Sequence, residues 1–316
     1  MAKPLAPLRR DLDFFPSPDR KHPGLVIQDR NQFSSHQLIV PPAFVQVLDL
    51  FDGQNTALDL RAALTRLTGE LDTSDAAASL ESALSNAGFL EDDKFAAIRE
   101  TRLREWRAAD VLPFSHSGSL NYPGDPGALR MKFDEWFNAV PKPGATPVRA
   151  IASPHASPGA ARRSYAHAYS VLAQSISREQ AADKTFVILG TSHYGEIDCL
   201  GTTRKDFETP VGRALVNQKL LAELRQDGGA GVLEEDYFFS IEHSVEFQVV
   251  FLQYLYGPNV KILPLLCGSY ARSIYLGGPP EQSDDVRRYL DALRGMEERH
   301  GDALVWVLGV DMAHIG

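Results

Sequence analysis

Beyond about residue 110, short apolar runs of strand length alternate with amphipathic segments of helical period. The apolar runs are VRAIAS, TFVILG, VKILPLLCG and ALVWVLGV, and the helical segments between them include SYAHAYSVLAQSI, VNQKLLAEL and SDDVRRYLDALRG. Alternation of this kind predicts an α/β fold, in which a parallel or mixed sheet is flanked by helices on its faces.

The first third of the chain has a different pattern. Two strand-like runs, GLVIQDR and HQLIV, precede three helical segments that lie between Pro41 and Phe89. Thr56 is a suitable N-cap for the second helix, Gly69 ends it, and Gly88 ends the third. This order predicts a small winged-helix-like α+β domain in front of the sheet domain.

The domain boundaries follow from changes in composition. The segment EDDKFAAIRETRLREWR is charge-rich and helical, and the Pro/Gly/Ser-rich stretch VLPFSHSGSLNYPGDPG then breaks the helix. We therefore expect an N-terminal extension over residues 1–21, the small domain over 22–92, a helical linker over 93–112 and the α/β domain over 113–316.

Charge and cysteine usage restrict the partners and the compartment. The formal net charge is −9 with no long Lys/Arg block, so we expect neither nucleic acid nor an anionic membrane as a partner. The two cysteines, Cys199 and Cys267, form no C-x-x-C pair and are interpreted as packing residues in a reducing compartment. No apolar run reaches the roughly 20 residues of a membrane span. We expect a cytoplasmic protein.

Polar residues follow three of the apolar runs, and in α/β sheets ligands bind beyond the carboxyl ends of the strands. These residues are His155, His193, Asp311 and His314. Glu242 and His243 open a further helical segment. Neutral imidazoles bind divalent transition metals, and two or three of them leave positions open for water or substrate. The alternative is that these histidines only cap strand ends by hydrogen bonds to the loop backbone.

Several segments, in order, resemble the motif series of the Memo family. They are NYPGDPGALR, RAIASPHASPGAARRSYAHAY, FVILGTSHYGEID, FETPVGRALVNQKLLAEL, EHSVEFQVVFLQYLY, KILPLLCGS and GVDMAHIG. The bacterial members are also called AmmeMemoRadiSam system protein B, and the resemblance covers roughly residues 113–316. It implies a fold similar to the catalytic subunit of class III extradiol dioxygenases, which use non-haem iron to open catechol rings.

The resemblance also implies roles for individual residues. His155 and His193 match the two histidine metal ligands of the family, for iron or alternatively copper. Four residues match the remaining cleft positions and are assigned catalytic roles, namely Asp311, His314, Glu242 and His243. Ser157 and Pro158 replace the Gly-Tyr that usually follows PHA in the family.

The remaining protein ligand of the family is a cysteine that lies beyond Gly316, so the chain resembles a C-terminally truncated member. Residues 22–92 resemble the PqqD-like winged-helix domains that bind precursor peptides. That resemblance implies a peptide or protein partner, bound by addition of a strand to an exposed sheet edge. A purely structural helical domain remains the alternative.

Three functions are consistent with these observations. The first is a Memo-like mononuclear metal protein of undetermined activity, whose first domain recruits a peptide or partner protein and which works with a radical-SAM protein. The second is a metal-dependent oxidoreductase, an extradiol-type dioxygenase acting on an aromatic ring, with His314 or His243 as general base. The third is a peptide-binding module without metal.

Overall fold

The computed structural model describes residues 3–144 and 146–311, and these divide into two units between Ala108 and Ala109. The strands of the first unit are β1 (Leu12–Pro16), β2 (Leu25–Asp29) and β3 (Gln37–Val40). Its helices are α1 (Pro42–Val45), α2 (Ala57–Thr68), α3 (Ser74–Asn86) and α4 (Asp93–Ala108), with a 3-10 turn at Gln46–Leu50.

The first unit is built on an antiparallel sheet in the order β1-β2-β3. Helix α2 begins where predicted, because the Asp59 carboxylate accepts the Thr56 N–H at 2.8 Å and closes the first turn. It ends at Gly69, whose φ of 77° is the left-handed conformation that glycine adopts at little cost. The segment from Pro41 is less regular than predicted, since a single α-helical turn passes into the 3-10 turn.

The first unit is wider than the predicted 22–92 domain. Strand β1, inside the predicted extension 1–21, pairs with β2 along its whole length. Leu5 and Leu12 are buried in the same core as α2 and α3. The predicted linker 93–112 is divided, because α4 buries Phe95 and Trp106 in the first unit whereas residues 111 and 112 form a strand of the second. Pairing between distant segments therefore sets these boundaries.

The second unit contains a mixed sheet with helices. Its strands are β4 (Val111–Leu112), β5 (Ala150–Pro154), β6 (Thr185–Thr191), β7 (Leu200–Thr202), β8 (Asp206–Thr209), β9 (Gly212–Val216), β10 (Val232–Leu233), β11 (Lys261–Cys267) and β12 (Leu304–Val310). Its helices are α5 (Pro126–Asn138), α6 (Arg162–Ser175), α7 (Arg178–Ala182), α8 (Gln218–Gly228), α9 (Ser244–Tyr256), α10 (Ala271–Leu276) and α11 (Asp284–His300).

The centre of this sheet is parallel, in the order β9-β11-β6-β12-β5. Strand β8 pairs antiparallel with β9, and β7 pairs antiparallel with the end of β11. This arrangement confirms the predicted α/β class, a mixed sheet flanked by helices and preceded by a small unit of strands and helices. None of the helices among the described residues is long and apolar enough to cross a membrane.

Helix α9 is buried against the centre of the sheet. Every residue from Ser244 to Gln253 is buried, and the helix packs against β6, β11 and β12. A helix whose apolar residues cover its whole circumference, as those of α9 do apart from a few polar positions, is buried in a core. Its buried polar residues therefore need partners, and each of Glu246, Gln248 and Gln253 has one.

Candidate metal centre

His155 and His193 meet at one edge of the sheet because they follow strands that run in the same direction. Both β5 and β6 pair in parallel with β12, so their carboxyl ends lie side by side. The backbone N–H of His155 donates to the Val310 carbonyl at 3.2 Å and extends the ladder. The centroids of the two imidazole rings are 5.0 Å apart. The structure thus brings the two predicted metal ligands together.

His243 lies in the same cluster. It occupies the N-cap of α9, and its ring centroid is 5.0 Å from that of His193 and 5.7 Å from that of His155. One nitrogen from each of the three imidazoles lies within 4.8 Å of the other two. The sequence predicted a catalytic role for His243 on the cleft wall, whereas its position is that of a third candidate ligand.

Two glycines let the start of α9 approach the strand ends this closely. A Cβ at Gly190 in β6 would lie 2.6 Å from Ser244 Oγ, and one at Gly309 in β12 would lie 3.2 Å from the Ser244 carbonyl oxygen. The Ser244 hydroxyl also donates to the Thr191 carbonyl at 2.8 Å. The contact between helix and sheet therefore depends on residues without side chains.

Glu242 is buried beneath the imidazoles, with its side chain 1% exposed. Its carboxylate accepts the backbone N–H of His193 at 2.9 Å and His193 Nδ1 at 3.0 Å. It also accepts the N–H groups of His243 and Ser244, at 2.8 and 3.1 Å. Burial raises the pKa of Glu242, but the hydrogen bonds from His193 and the charges of His193 and His243 together outweigh burial, so the net shift is downward. An ionised carboxylate only accepts hydrogen bonds, so the proton lies on His193 Nδ1, and Nε2 is left for a metal.

Two of the candidate ligands are neutral imidazoles at physiological pH. Burial and the neighbouring His193 lower the pKa of His155. Burial lowers the pKa of His243 to about 4, against the opposing charge of Glu242. Neutral imidazole is the form that coordinates metals, so the electrostatics of the cluster suit a cation without prior loss of protons.

The remaining predicted residues lie after β12. Asp311 follows Val310 directly and is exposed. Its negative charge partly opposes the lowering of the His155 pKa. His314 lies outside the described residues. Cys267 ends β11, and burial raises the pKa of its thiol to about 12, which agrees with a packing role and opposes one as a thiolate ligand.

Sequence reasoning missed His116 and Glu246. The Glu246 carboxylate accepts the backbone N–H of His116 and contacts its Nδ1, each at 3.0 Å, and the His116 ring centroid lies 5.7 Å from that of His243. Burial lowers the pKa of His116, but the hydrogen bond and charge of Glu246 outweigh burial and raise it. The spacing of Glu242 and Glu246, one helical turn apart, was the available signal.

Gln248 connects α9 to the strand that carries His155. Its Nε2 donates to the Pro154 carbonyl at 3.0 Å, and its Oε1 accepts the Tyr169 hydroxyl at 2.7 Å. Gln248 thus bonds the end of β5 to α9, and Glu242, two residues before α9, bonds the residue that follows β6 by two. Buried polar side chains that are fully bonded in this way hold a site in one arrangement.

Aromatic side chains border the cluster next to His193. The Tyr194 ring centroid is 6.2 Å from that of His193, and Tyr194 stacks with Phe238 at 6.3 Å. All three side chains are partly exposed. A planar apolar ligand therefore has a surface to contact beside the imidazoles.

The arrangement as a whole can bind a divalent transition metal. Three imidazole nitrogens, one of them oriented by a buried carboxylate, resemble the donor sets of mononuclear metal sites with open positions. Bonds of about 2.0–2.1 Å allow ligand nitrogens to be at most about 4.2 Å apart, which is close to the 4.8 Å within which the three nitrogens lie.

Comparisons with known proteins support a family assignment. A family model described as "Memo-like protein" matches residues 113–315, more than half of the chain. A "MEMO1 family protein" of Aquifex aeolicus is 28% identical over 233 residues, which is 73% of this chain and 59% of that protein. Relatives with the same description from Ignicoccus hospitalis and Methanopyrus kandleri are 34% and 32% identical. Those matches cover 49% and 46% of this chain, and 56% and 52% of the relatives.

The chain thus spans little more than half the length of these curated relatives. The matches confirm the predicted resemblance to the Memo family. The bacterial subtype, the PqqD-like assignment of the first unit and the C-terminal truncation stay predictions.

Proposed function

This chain belongs to the Memo-like protein family, and on that premise we propose that it binds a single transition-metal ion through His155, His193 and His243. The observation that carries the proposal is the approach of three imidazole nitrogens from three separate segments to within 4.8 Å of one another. Capping of strand ends by single histidines does not require three imidazoles from separate segments to approach one another.

The resemblance to the family favours iron, with copper as the alternative, and the donor set is compatible with both. Imidazole suits both metals, and three nitrogens leave coordination positions for water or a second ligand. A bound ion of either kind supplies Lewis-acid and redox chemistry at the strand ends. Glu242 orients His193, and the lowered pKa values of His155 and His243 keep both rings in the binding form.

We extend the proposal to the whole protein in line with the bacterial members of the family. The activity is undetermined, the metal unit works with a radical-SAM protein in the cytoplasm, and the first unit recruits a peptide or partner protein. Strand β3 supports the last point, because it lies at the end of the order β1-β2-β3 and has two exposed residues. Such an edge can accept an added strand.

Anaerobic titration calorimetry with Fe(II) and with Cu(II) tests the metal site. His155→Ala, His193→Ala and His243→Ala should each reduce affinity by more than the roughly 10–100-fold that loss of an orienting partner causes. His167→Ala, which removes an exposed histidine of α6, is the matched control and should leave affinity unchanged. Undiminished affinity in the three cluster variants overturns the site, and a parent chain that binds neither metal favours a peptide-binding cleft without metal.

The dioxygenase alternative is favoured by one observation, the aromatic surface of Tyr194 and Phe238 beside His193. An aromatic substrate bound there would lie next to the metal. Oxygen uptake by the iron-loaded protein with catechol as the probe decides between the two functions. Ring-cleavage product establishes the oxidoreductase, and its absence with tight metal binding retains the first proposal.

A further inference from the structure

Residues 115–122, here called the strap, form a compact segment between β4 and α5. The strap closes on itself, since the Gly118 N–H donates to the Tyr122 carbonyl at 2.8 Å and Asn121 Nδ2 donates to the His116 carbonyl at 2.8 Å. Local hydrogen bonds of this kind give a loop one preferred shape. A shift at one end of the strap should therefore also move its other end.

One part of the strap is bound to α9 through a single buried carboxylate. Glu246 accepts the backbone N–H groups of Ser115 and His116, both at 3.0 Å, and it also contacts His116 Nδ1 at 3.0 Å. The hydroxyl of Tyr122, a fully buried side chain, donates to the same carboxylate. The His116 ring centroid is 5.7 Å from that of His243, and His116 and Phe247 form an edge-to-face pair with centroids 6.1 Å apart. This attachment lies one helical turn from the residue that carries the third imidazole.

The other part of the strap is bound to the loop that follows β5. The Gly159 N–H donates to the Leu120 carbonyl at 3.0 Å. The Ser157 hydroxyl lies within hydrogen-bonding reach of the same carbonyl and is 2.7 Å from Asn121 Oδ1. Ser157 stands two residues after His155, so this attachment lies close to the first of the candidate ligands.

We infer that the strap is a positioning element that sets the separation of His155 and His243, with Ser157 and His116 as its positioning residues. It is attached within two residues of His155 and, through Glu246, within three residues of His243. The ring centroids of these two histidines are 5.7 Å apart. Such attachments favour metal binding, because a ligand side chain on a mobile loop loses conformational entropy when the metal binds.

Hydrogen exchange of the metal-free full chain tests the inference without assuming a metal. Ser157→Ala should raise exchange in the strap and also across the cleft, in residues 241–244, because the strap couples the two. Ser177→Ala, which removes the hydroxyl that caps α7, is the matched control and should leave both regions unchanged. Faster exchange confined to residues 115–122 and 155–160 overturns the inference, since a merely local contact predicts that pattern.

The second readout rests on the proposed metal function. Cobalt(II) titration followed by visible absorption should show a roughly three- to tenfold loss of affinity in Ser157→Ala and in His116→Gln, less than the loss for a directly orienting partner. The double variant should lose less than the product of the two changes, because both act through one element. The inference is overturned if the loss of affinity in the double variant equals the product of the two single losses. It is also overturned if the parent protein binds cobalt and the variants bind it equally well.

The two proposals fail separately. A parent chain that binds no cobalt overturns the metal function alone, and the exchange experiment still decides the role of the strap. Should His116→Gln fail to fold, Tyr122→Phe removes another attachment to Glu246. It should reproduce the exchange pattern of Ser157→Ala.

Discussion

The Glu242 carboxylate holds His193 by two atoms at once, accepting its backbone N–H at 2.9 Å and its Nδ1 at 3.0 Å. This pair fixes both the rotation of the imidazole and the nitrogen that carries the proton. Glu242→Gln should therefore reduce metal affinity by about 10–100-fold, the usual loss for a partner that orients a ligand. Anaerobic calorimetry with Fe(II) measures it. Glu298→Gln, an exposed change on α11, is the control, and equal affinities for both variants would show that His193 needs no orienting carboxylate.

Asp236 should make stability fall as the pH rises. Burial raises the pKa of its carboxyl to about 6, and the charges of Glu196 and Glu242 add to that shift. The folded state therefore binds the proton more tightly than the unfolded state, whose value is about 3.9. The resulting stability is complete below about pH 4 and is lost as the pH rises to about 6, a change of up to about 3 kcal/mol.

Asp236→Asn removes this penalty and should raise the free energy of unfolding at pH 7 but not at pH 4. Its side-chain oxygen can still accept the Phe238 N–H that Asp236 accepts at 2.9 Å. Urea unfolding at the two pH values measures the difference. Asp291→Asn, at an exposed position of α11, should show no such dependence. The raised pKa would be contradicted if the difference in the free energy of unfolding between Asp236→Asn and the parent were the same at both pH values.

Gln248 and Tyr169 should behave as one unit in stability. Gln248→Leu removes the donor that the Pro154 carbonyl has at 3.0 Å. It also removes the 2.7 Å bond from the Tyr169 hydroxyl to Oε1, and leaves that hydroxyl only its longer contact, at 3.3 Å, with the backbone carbonyl of residue 248. The change should cost about 1–3 kcal/mol. Tyr169→Phe removes one of those buried groups, so the double variant should lose less than the sum of the two single changes. Urea unfolding of the three variants measures the coupling.

Tyr256→Phe is the matched control, because the Tyr256 hydroxyl donates to the Leu172 carbonyl and not to Gln248. Combined with Gln248→Leu, its effect should add within about 0.5 kcal/mol. Additive losses for the Gln248 and Tyr169 pair would contradict the network.

Arg9 should be required for the stability of the first unit. Its guanidinium is buried, donates twice to Asp29 at 3.0 Å, donates to the Gly88 carbonyl at 2.8 Å, and lies 3.7 Å over the Phe95 ring. Arg9→Met leaves the fully buried Asp29 carboxylate without its cation, which should cost about 3–5 kcal/mol.

Hydrogen exchange of residues 3–108 in the full chain measures that cost, and Asp29→Asn added to Arg9→Met should recover part of it. The neighbouring Arg10 is exposed, so Arg10→Met is a matched control with little expected effect. Equal protection in the Arg9 and Arg10 variants would refute the role of the buried ion pair.

The sequence by itself determined the class of the sheet domain and the place of two candidate ligands. Apolar runs of strand length that alternate with helical segments indicate a sheet covered by helices, and the carboxyl ends of parallel strands meet at one edge. The positions of His155 and His193 directly after two such runs were therefore enough to place them together. The two ends of α2 could also be predicted from the sequence, since Thr56 and Gly69 each interact with backbone groups in the adjacent turn of the helix.

Only the tertiary structure decided which residues complete the cluster and where the first unit ends. His243 precedes a helix, and its distance from the strand ends depends on how closely α9 packs, which Gly190 and Gly309 permit from other strands. His116 lies in a segment with no regular pattern and is placed by Glu246, 130 residues later. Likewise, β1 belongs to the first unit through its pairing with β2. Periodicity and capping act over a few neighbouring residues, whereas these positions result from contacts between segments that only the folded chain brings together.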